Sequence, residues 1–273
     1  MNFTFVITTY EDHLKYLNRC LVSLKNINCD YQLIIANNSK SPKSKIKILK
    51  AIKNKNIKRY KIIEYTDKTI SFLRNKSLKA CKTKWISFMD GDDKIHQNFK
   101  MNQEYLNKDC DAIFLNNEIA RYNIKPCSFY GLKGLIKNDQ IKTLAERYLL
   151  YPRGNSIITH VWSKIYNREF LFKNNLTFDK KLNVNEDLLF NCQLIVKAKK
   201  LFIDKNKKMI THKPSSLKKI FIRHDLEDSS FIRPIETIAK LVSAKKKNRL
   251  IKIAKKYWFT KILIIASRKR KFK

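Results

Sequence analysis

An α/β fold with a mostly parallel central sheet flanked by helices, extended by a basic helical region, is what this sequence predicts. Three observations lead there. Strand-length apolar segments alternate with helical ones through the first ninety residues, the pattern of a parallel sheet covered on both faces. One of those segments, Trp85-Ile86-Ser87-Phe88-Met89, runs straight into Asp90-Gly91-Asp92-Asp93. From about residue 214 the pattern turns helical and strongly basic. The 273 residues therefore divide into a domain over 1–213 and a basic amphipathic helical region over 214–273.

Element by element, Phe3 to Thr8 reads as the first strand, and the residues before it carry no basic leader and no cleavage site, so no secretory signal is expected. Asp12 to Leu24 places Leu14, Leu17, Leu21 and Leu24 at helical spacing. Tyr31 to Ala36 is a short apolar strand closed by Asn37-Asn38-Ser39. Pro42 stands where a helix can open, and the helix to Ile52 is predicted to bury Ile46, Leu49 and Ile52. Ile57 to Tyr65 is a third strand, Thr69 to Cys81 a helix with Phe72, Leu73, Leu78 and Cys81 inward, and Trp85 to Met89 a fourth strand. Farther on come a strand at Asp111–Leu115, a helix at Asp139–Leu150, a turn-rich break at Pro152–Ser156 and a β-prone stretch at Ile157–Tyr166. A helix at Asp187–Ala198 and a last strand at Leu201–Ile203 follow.

Composition excludes several functions. With four glycines, the glycine-rich phosphate loops of Walker and dinucleotide sites are absent. Six cysteines show no Cys-x-x-Cys pair and no nearby His at ligand spacing, which points to reduced cytosolic thiols rather than zinc or disulfides. No apolar run approaches the roughly 20 residues of a spanning helix. The formal charge is +36, and 47 of the 59 basic residues are lysine in a chain also rich in Asn and Ile, so an AT-rich coding sequence explains part of it. The remainder attracts anionic membranes, nucleic acid or phosphorylated substrates. Over 235–271, Lys245-Lys246-Lys247, Lys255-Lys256, Tyr257-Trp258-Phe259, Ile262-Leu263-Ile264-Ile265 and Arg268-Lys269-Arg270-Lys271 interleave cations with apolar and aromatic side chains. That mixture is the mark of a helix lying on an anionic membrane surface. The competing reading is a helix pair packed on the core with a solvated basic face. No nucleic-acid module is recognisable, so no nucleic-acid partner is expected.

The chemistry is concentrated at Asp90, Gly91, Asp92 and Asp93. Ligands of open α/β sheets bind outside the carboxyl ends of the strands. Hard carboxylate oxygens there suit Mn²⁺ or Mg²⁺ shared with substrate phosphates. The plain alternative is a polar turn.

Four segments in order resemble family 2 glycosyltransferases of the GT-A fold. They are Phe5-Val6-Ile7-Thr8-Thr9-Tyr10, then Leu33 to Ser39, then Arg74-Asn75 through Asp93, and last Trp162-Ser163-Lys164-Ile165-Tyr166 followed by Asn185-Glu186-Asp187-Leu188-Leu189-Phe190-Asn191. The resemblance spans about residues 3–204. It implies transfer of a hexosyl or N-acetylhexosaminyl group from a nucleotide-sugar donor, UDP-linked, to a hydroxyl of a glycan or lipid-linked acceptor, as in surface polysaccharide or lipo-oligosaccharide synthesis. The metal falls to Asp92 with Asp90, the latter also towards the ribose, while Asp93 fixes the turn. Asp187 is implied as the catalytic base with Glu186 as the other candidate; a structural role for the pair is to complement the helix dipole. One base without a nucleophilic carboxylate implies single displacement with inversion.

For the donor, the resemblance assigns Thr8, Thr9 and Tyr10, with Thr8-Thr9 where the family usually has Pro-Thr, and Asn37 and Asn38, where it usually has two acids. Asp67 either faces the nucleotide or caps the helix before Thr69, and Arg74 is expected at the base or diphosphate. Trp162 either stacks on the acceptor sugar or fills the core. His212 and His224, the latter beside Arg223, are candidates for the metal or diphosphate. Placement follows from the tail: peripheral, on the cytoplasmic face of the inner membrane. The rivals are a non-catalytic nucleotide-sugar-binding domain and a nucleic-acid-binding protein whose affinity falls steeply with salt.

Overall fold

A computed structural model of the chain describes residues 2–27, 29–101, 103–119, 126–153, 155–182, 184–212 and 229–270, the last ten by backbone alone. Four strands form its first half: β1 (Phe3–Thr9), β2 (Tyr31–Asn37), β3 (Tyr60–Glu64) and β4 (Trp85–Asp90). They are parallel in the order β3-β2-β1-β4, as the alternation predicts. Helices α1 (Leu14–Ser23), α2 (Ser44–Lys53) and α3 (Ile70–Ala80) make the crossovers. Every residue of β1 is buried, which explains its continuous apolar run.

The second half is mixed rather than parallel. It comprises β5 (Lys94–Ile95), α4 (Gln103–Leu106), β6 (Ala112–Ile119), β7 (Gly134–Lys137), α5 (Asn138–Leu150), β8 (Lys164–Asn167), α6 (Arg168–Lys173), α7 (Glu186–Lys197) and β9 (Lys200–His212). The sheet continues from β4 through β8, β6, β9 and β5, and of these pairings only β6 with β9 is parallel. β7 pairs antiparallel with β9.

Three expectations change. The helix α2 buries Ser44, Ile48 and Ile52, while Ile46 is 66% and Leu49 36% exposed. Ser44, Ile48 and Ile52 lie four apart on one face, with Ile48 and Ile52 in the core cluster of β1 and β2 and the Ser44 hydroxyl accepting from Asn37 Nδ2 at 2.9 Å, so of the predicted face Ile52 alone turns inward. The β-prone stretch 157–166 is strand only from Lys164; residues 157–163 are a loop whose apolar side chains are nonetheless buried. The last strand is 13 residues long, because its far half crosses to β5 and to the end of β6.

Beyond residue 228, α8 (Ser229–Ile238) and α9 (Ala244–Arg270) follow, with Phe231, Ile235, Ile238, Leu250, Ala254 and Trp258 in the same core cluster as α5 and α7. One face of this region thus packs on the domain, as the helix-pair reading has it. Lys245, Arg249, Lys252 and Lys256 form an exposed stripe at spacings of four and three, ending at Phe259, which is 55% exposed. The predicted boundary at 213/214, with Arg223 and His224, lies outside the described residues. Among the described residues no helix is long and apolar enough to cross a membrane.

Candidate active site

The carboxyl ends of β1 and β4 lie side by side, in a register that pairs Thr8 with Asp90. Each strand hands the chain to a turn, and the two turns interlock. Gly91 N–H donates to the Thr8 carbonyl at 2.8 Å. A Cβ at Gly91 would meet Thr9 Oγ1 at 3.0 Å, so this position needs glycine for close approach. The Thr8 hydroxyl donates to Asp90 Oδ1 at 3.0 Å, and the Thr9 hydroxyl is buried without a partner. Tyr10 leaves the strand with its ring edge-on to His13, 5.5 Å away.

The turn gathers Asp90, Asp92 and Asp93, each with a carboxylate oxygen inside a 4.8 Å cluster. Asp93 is fully buried; its Oδ1 lies 2.5 Å from His212 Nδ1 and its Oδ2 has no partner among the described residues. Burial pushes the Asp93 carboxyl up to about 6. Burial opposes the charged form of His212, but Asp93, Asp92 and Asp90 outweigh it and raise the imidazole to about 9. The Asp90 carboxyl is penalised by burial and still held below its ordinary value, chiefly by Arg74 and also by His13, His212 and Thr8. Three convergent hard oxygens, with one buried oxygen unsatisfied, fit a divalent cation such as Mn²⁺ or Mg²⁺.

Two groups here escaped the sequence reading. His13 Nε2 lies 3.6 Å from Asp92 Oδ2, and Arg19 donates to the Asp92 backbone carbonyl at 2.5 Å. His13 lies in the turn between β1 and α1 and Arg19 within α1, and no local pattern marks them. The parallel β1–β4 pairing alone brings them over the aspartates.

The acid pair Glu186 and Asp187 opens α7, after Asn185 in the left-handed conformation (φ 60°) that Asn tolerates. The buried Arg74 guanidinium joins this pair to the turn. Its Nη2 lies 3.3 Å from Asp90 Oδ1; its Nη1 donates to Glu186 Oε1 at 3.0 Å and to Asp187 Oδ1. Burial works against the charge of Arg74, and Asp187, Asp90 and Glu186 together hold its proton more firmly than usual. Arg74 is expected at the base or diphosphate; in the structure its two Nη groups reach three carboxylates, so it bridges the two acidic sites. Burial, then the neighbouring Asp187, pushes the Glu186 carboxyl up to about 8.

The remaining predicted residues divide. Asn37 is 2% exposed, with its amide N–H on Ser44 and its carbonyl accepting from Ser39 N–H at 3.2 Å, so it builds the turn after β2 rather than presenting an open amide. Asn38 exchanges two bonds with the Lys68 backbone, at 2.8 and 3.2 Å, and pins the loop after β3. Asp67 sits on that loop (φ 54°), paired with Lys40 at 2.8 Å. It does not cap α3; the Thr69 hydroxyl does, accepting from Phe72 N–H. A cleft of about 540 Å³ opens beside these loops, lined by Asn37, Lys40, Glu64, Tyr65 and Lys68 among others. Trp162 is 4% exposed and near-parallel to His160 and His212, with centroids 4.2 and 5.5 Å away; this is the core placement rather than an open stacking platform. All six cysteines are free.

The family model described as Glycosyl transferase family 2 matches residues 4–170, more than half of the chain and the whole of the interlocked β1–β4 turns. The chain belongs to glycosyl transferase family 2. Within this family it is 24% identical over 168 residues to an uncharacterized glycosyltransferase, EpsJ of Bacillus subtilis (strain 168), covering 59% of this chain and 47% of EpsJ. It is 25% identical over 150 residues to the cholesterol galactosyltransferase of Borreliella burgdorferi, covering 52% of this chain and 41% of that protein. The chain thus spans less than half the length of these curated relatives. S. aureus TarS 1–349, solved with UDP-GlcNAc, shares the fold at a TM-score of 0.68 and 18% identity, over 92% of this chain and 70% of TarS 1–349. The mannosyltransferase PcManGT of Pyrobaculum calidifontis, solved with GDP-Man and Mn²⁺, gives a TM-score of 0.59 at 9% identity, over 98% of this chain and 73% of that one. The fold is therefore the expected GT-A type with a helical C-terminal region. The family match ends before α7, so the acid pair rests on geometry.

Proposed function

We propose that this family 2 protein transfers a hexosyl or N-acetylhexosaminyl group from a nucleotide-sugar donor to an acceptor hydroxyl, by single displacement with inversion, and with a divalent cation at the aspartate turn. The observation that carries the reading is Arg74. Through one guanidinium, Asp90 and Asp187 belong to a single site although 97 residues separate them in the sequence.

Asp92 and Asp90 would hold the cation, which when bound neutralises charge on the departing diphosphate. Asp93, tied to His212, fixes the turn beneath it. On the opposite side a carboxylate must take the proton of the attacking hydroxyl. A carboxyl that keeps its own proton at pH 7 cannot do so, and Glu186 is pushed towards that state. This leaves Asp187 as the base and Glu186 as a neutral neighbour. UDP as the donor nucleotide is supported by the TarS complexes with UDP and UDP-GlcNAc, while the GDP-Man complex of PcManGT shows that this fold also accepts another base.

The acceptor is proposed to be a glycan or lipid-linked hydroxyl reached at an anionic membrane, on the cytoplasmic face of the inner membrane. Support comes from the Lys245, Arg249, Lys252, Lys256 and Phe259 stripe, on a helix without any acidic residue between Ala244 and Arg270.

The test is a panel of UDP-GlcNAc, UDP-galactose, UDP-glucose and GDP-mannose with Mn²⁺, reading nucleotide release with and without EDTA. Release from one UDP-sugar that stops in EDTA is expected. Equal release in chelator removes the cation from the reading, and no release from any donor removes the transferase. Reversing Lys245, Arg249, Lys252 and Lys256 to Glu should release the protein from phosphatidylglycerol vesicles; unchanged binding would leave the stripe as a solvated face.

A further inference from the structure

We infer that Asn191, Tyr166 and Lys164 act as positioning residues, holding the loop 158–161 so that its backbone aims the Asp187 carboxylate. This rests on Asp187 being the base proposed above.

Asn191 is one helical turn beyond Asp187 and therefore lies on the same face of α7. It is fully buried, and its side chain reaches both the loop 158–161 and strand β8. Its Nδ2 donates to the Ile158 carbonyl at 2.7 Å and to the His160 carbonyl at 3.0 Å. Its Oδ1 accepts from the Tyr166 hydroxyl at 2.9 Å. The buried Lys164 ammonium is a second donor to the His160 carbonyl. Burial lowers that ammonium to about 8, so its charge is kept at a cost and its partner is a backbone carbonyl rather than an acid.

Asn191 and Lys164 thus satisfy the carbonyls of Ile158 and His160, the Tyr166 hydroxyl fixes the Asn191 amide and lies 3.3 Å from the Val161 carbonyl, and the loop stays open at the Val161 N–H. That N–H donates to Asp187 Oδ2 at 3.2 Å. Asp187 Oδ1 is meanwhile held by Arg74. Each oxygen of the candidate base is therefore fixed by one donor from a different element, α3 on one side and the loop on the other. Two residues with positive φ flank the arrangement: Asn185 (60°), of a type that tolerates the left-handed region, and Ser163 (59°), which does so less readily. Ser163 is held in that conformation by Leu115 N–H on its carbonyl at 2.9 Å and Ile210 N–H on its hydroxyl at 3.2 Å.

A network that only stabilised the loop would also bury these groups. The two roles separate in kinetics, because misplacing a base by about 1 Å can cost on the order of 100-fold in the chemical step without touching donor binding. The experiment uses the full chain with the donor that the panel identifies, and compares Tyr166→Phe and Asn191→Ser with Asp187→Asn. For both positioning variants, kcat should fall roughly 10- to 100-fold while donor KM and the UDP dissociation constant stay within about two-fold. Tyr166→Phe keeps the ring and loses one hydroxyl, so it retains a folded protein if Asn191→Ser does not, and circular dichroism melting identifies that case. Unchanged kcat in Tyr166→Phe, or parallel losses in UDP affinity and kcat, overturns the inference. If Asp187→Asn retains full turnover, or the unsubstituted protein releases no nucleotide, the parent reading fails and takes this one with it.

Discussion

Two acidic clusters face each other across Arg74, and they are built in opposite ways. At the β4 turn, Asp90, Asp92 and Asp93 crowd their oxygens within 4.8 Å of one another, with imidazoles and a backbone-directed Arg19 at the margin. At the start of α7, Glu186 and Asp187 share an internal cation, and Glu186 is driven towards its protonated form. The first cluster has three acids against shared and partial counter-charges and, among the described residues, one oxygen without a partner; the second has Arg74 in direct contact with both acids. On the proposed reading, the first cluster serves an external cation and the second a proton.

The strongest way to break this contrast is to remove the internal cation. Arg74→Met would leave Asp90, Glu186 and Asp187 facing one another in a buried space. A loss of about 3–5 kcal/mol is expected, the scale for stripping one partner from a buried pair. Urea denaturation measures it. A variant as stable as the parent would mean that the acid pair never depended on Arg74.

Activity separates the clusters next. Asp187→Asn should lower kcat by about 10²–10⁴-fold, the range for a general base, with Mn²⁺ titration unchanged. Asp92→Ala should weaken Mn²⁺ binding directly while the protein stays folded. If both variants lose Mn²⁺ equally, the two clusters are one metal site and the division fails.

The acid pair also has a signature in pH. Glu186 has a folded-state value raised to about 8 from an ordinary 4.5. The sign follows: its contribution is fully present below 4.5, where native and unfolded forms are both protonated, and is lost as pH rises through about 8. His212, raised to about 9, loses its contribution in the same direction. The difference between the protein and Glu186→Gln isolates the first. Urea midpoints between pH 5 and 9 should fall for the parent and fall less for Glu186→Gln. Parallel curves would show that Glu186 ionises normally.

How legible these features were depended on what satisfies each segment. Strands β1, β2 and β4 declare themselves because both sheet faces are covered, leaving largely apolar segments, and Asp-Gly-Asp-Asp at the end of β4 is a local string. The loop 157–163 has the same apolar composition and reads as strand. Its carbonyls, however, are answered by Asn191 and Lys164, partners that no local window contains. On α2 two apolar faces compete, and the one that includes Ile48 is buried, with Ser44 bonded to Asn37. Asp187 was visible from its resemblance to a family helix, whereas Arg74 as a bridge, His13 and Arg19 appear only when strands 80 residues apart come to lie together. Local chemistry is readable; convergence across the sheet is not.

Asp67 provides the smallest effect and the control for the whole contrast. It is an acid outside both clusters, 69% exposed and paired with an exposed Lys40. Such pairs contribute between nothing and about 1 kcal/mol. Its left-handed backbone (φ 54°) suits Asn as well as Asp, so Asp67→Asn introduces no strain. Thr69 already caps α3, so the helix start is unaffected. Stability should therefore stay within about 0.5 kcal/mol of the parent, in sharp distinction to Arg74→Met. The loop is nevertheless pinned by Asn38 beside the carboxyl ends of β2 and β3, where a donor nucleotide would lie. Losing one charge-assisted contact there should raise donor KM several-fold, about 1 kcal/mol, with kcat unchanged. An unchanged KM would make Asp67 a surface residue and confine donor recognition to the ends of β1, β2 and β4.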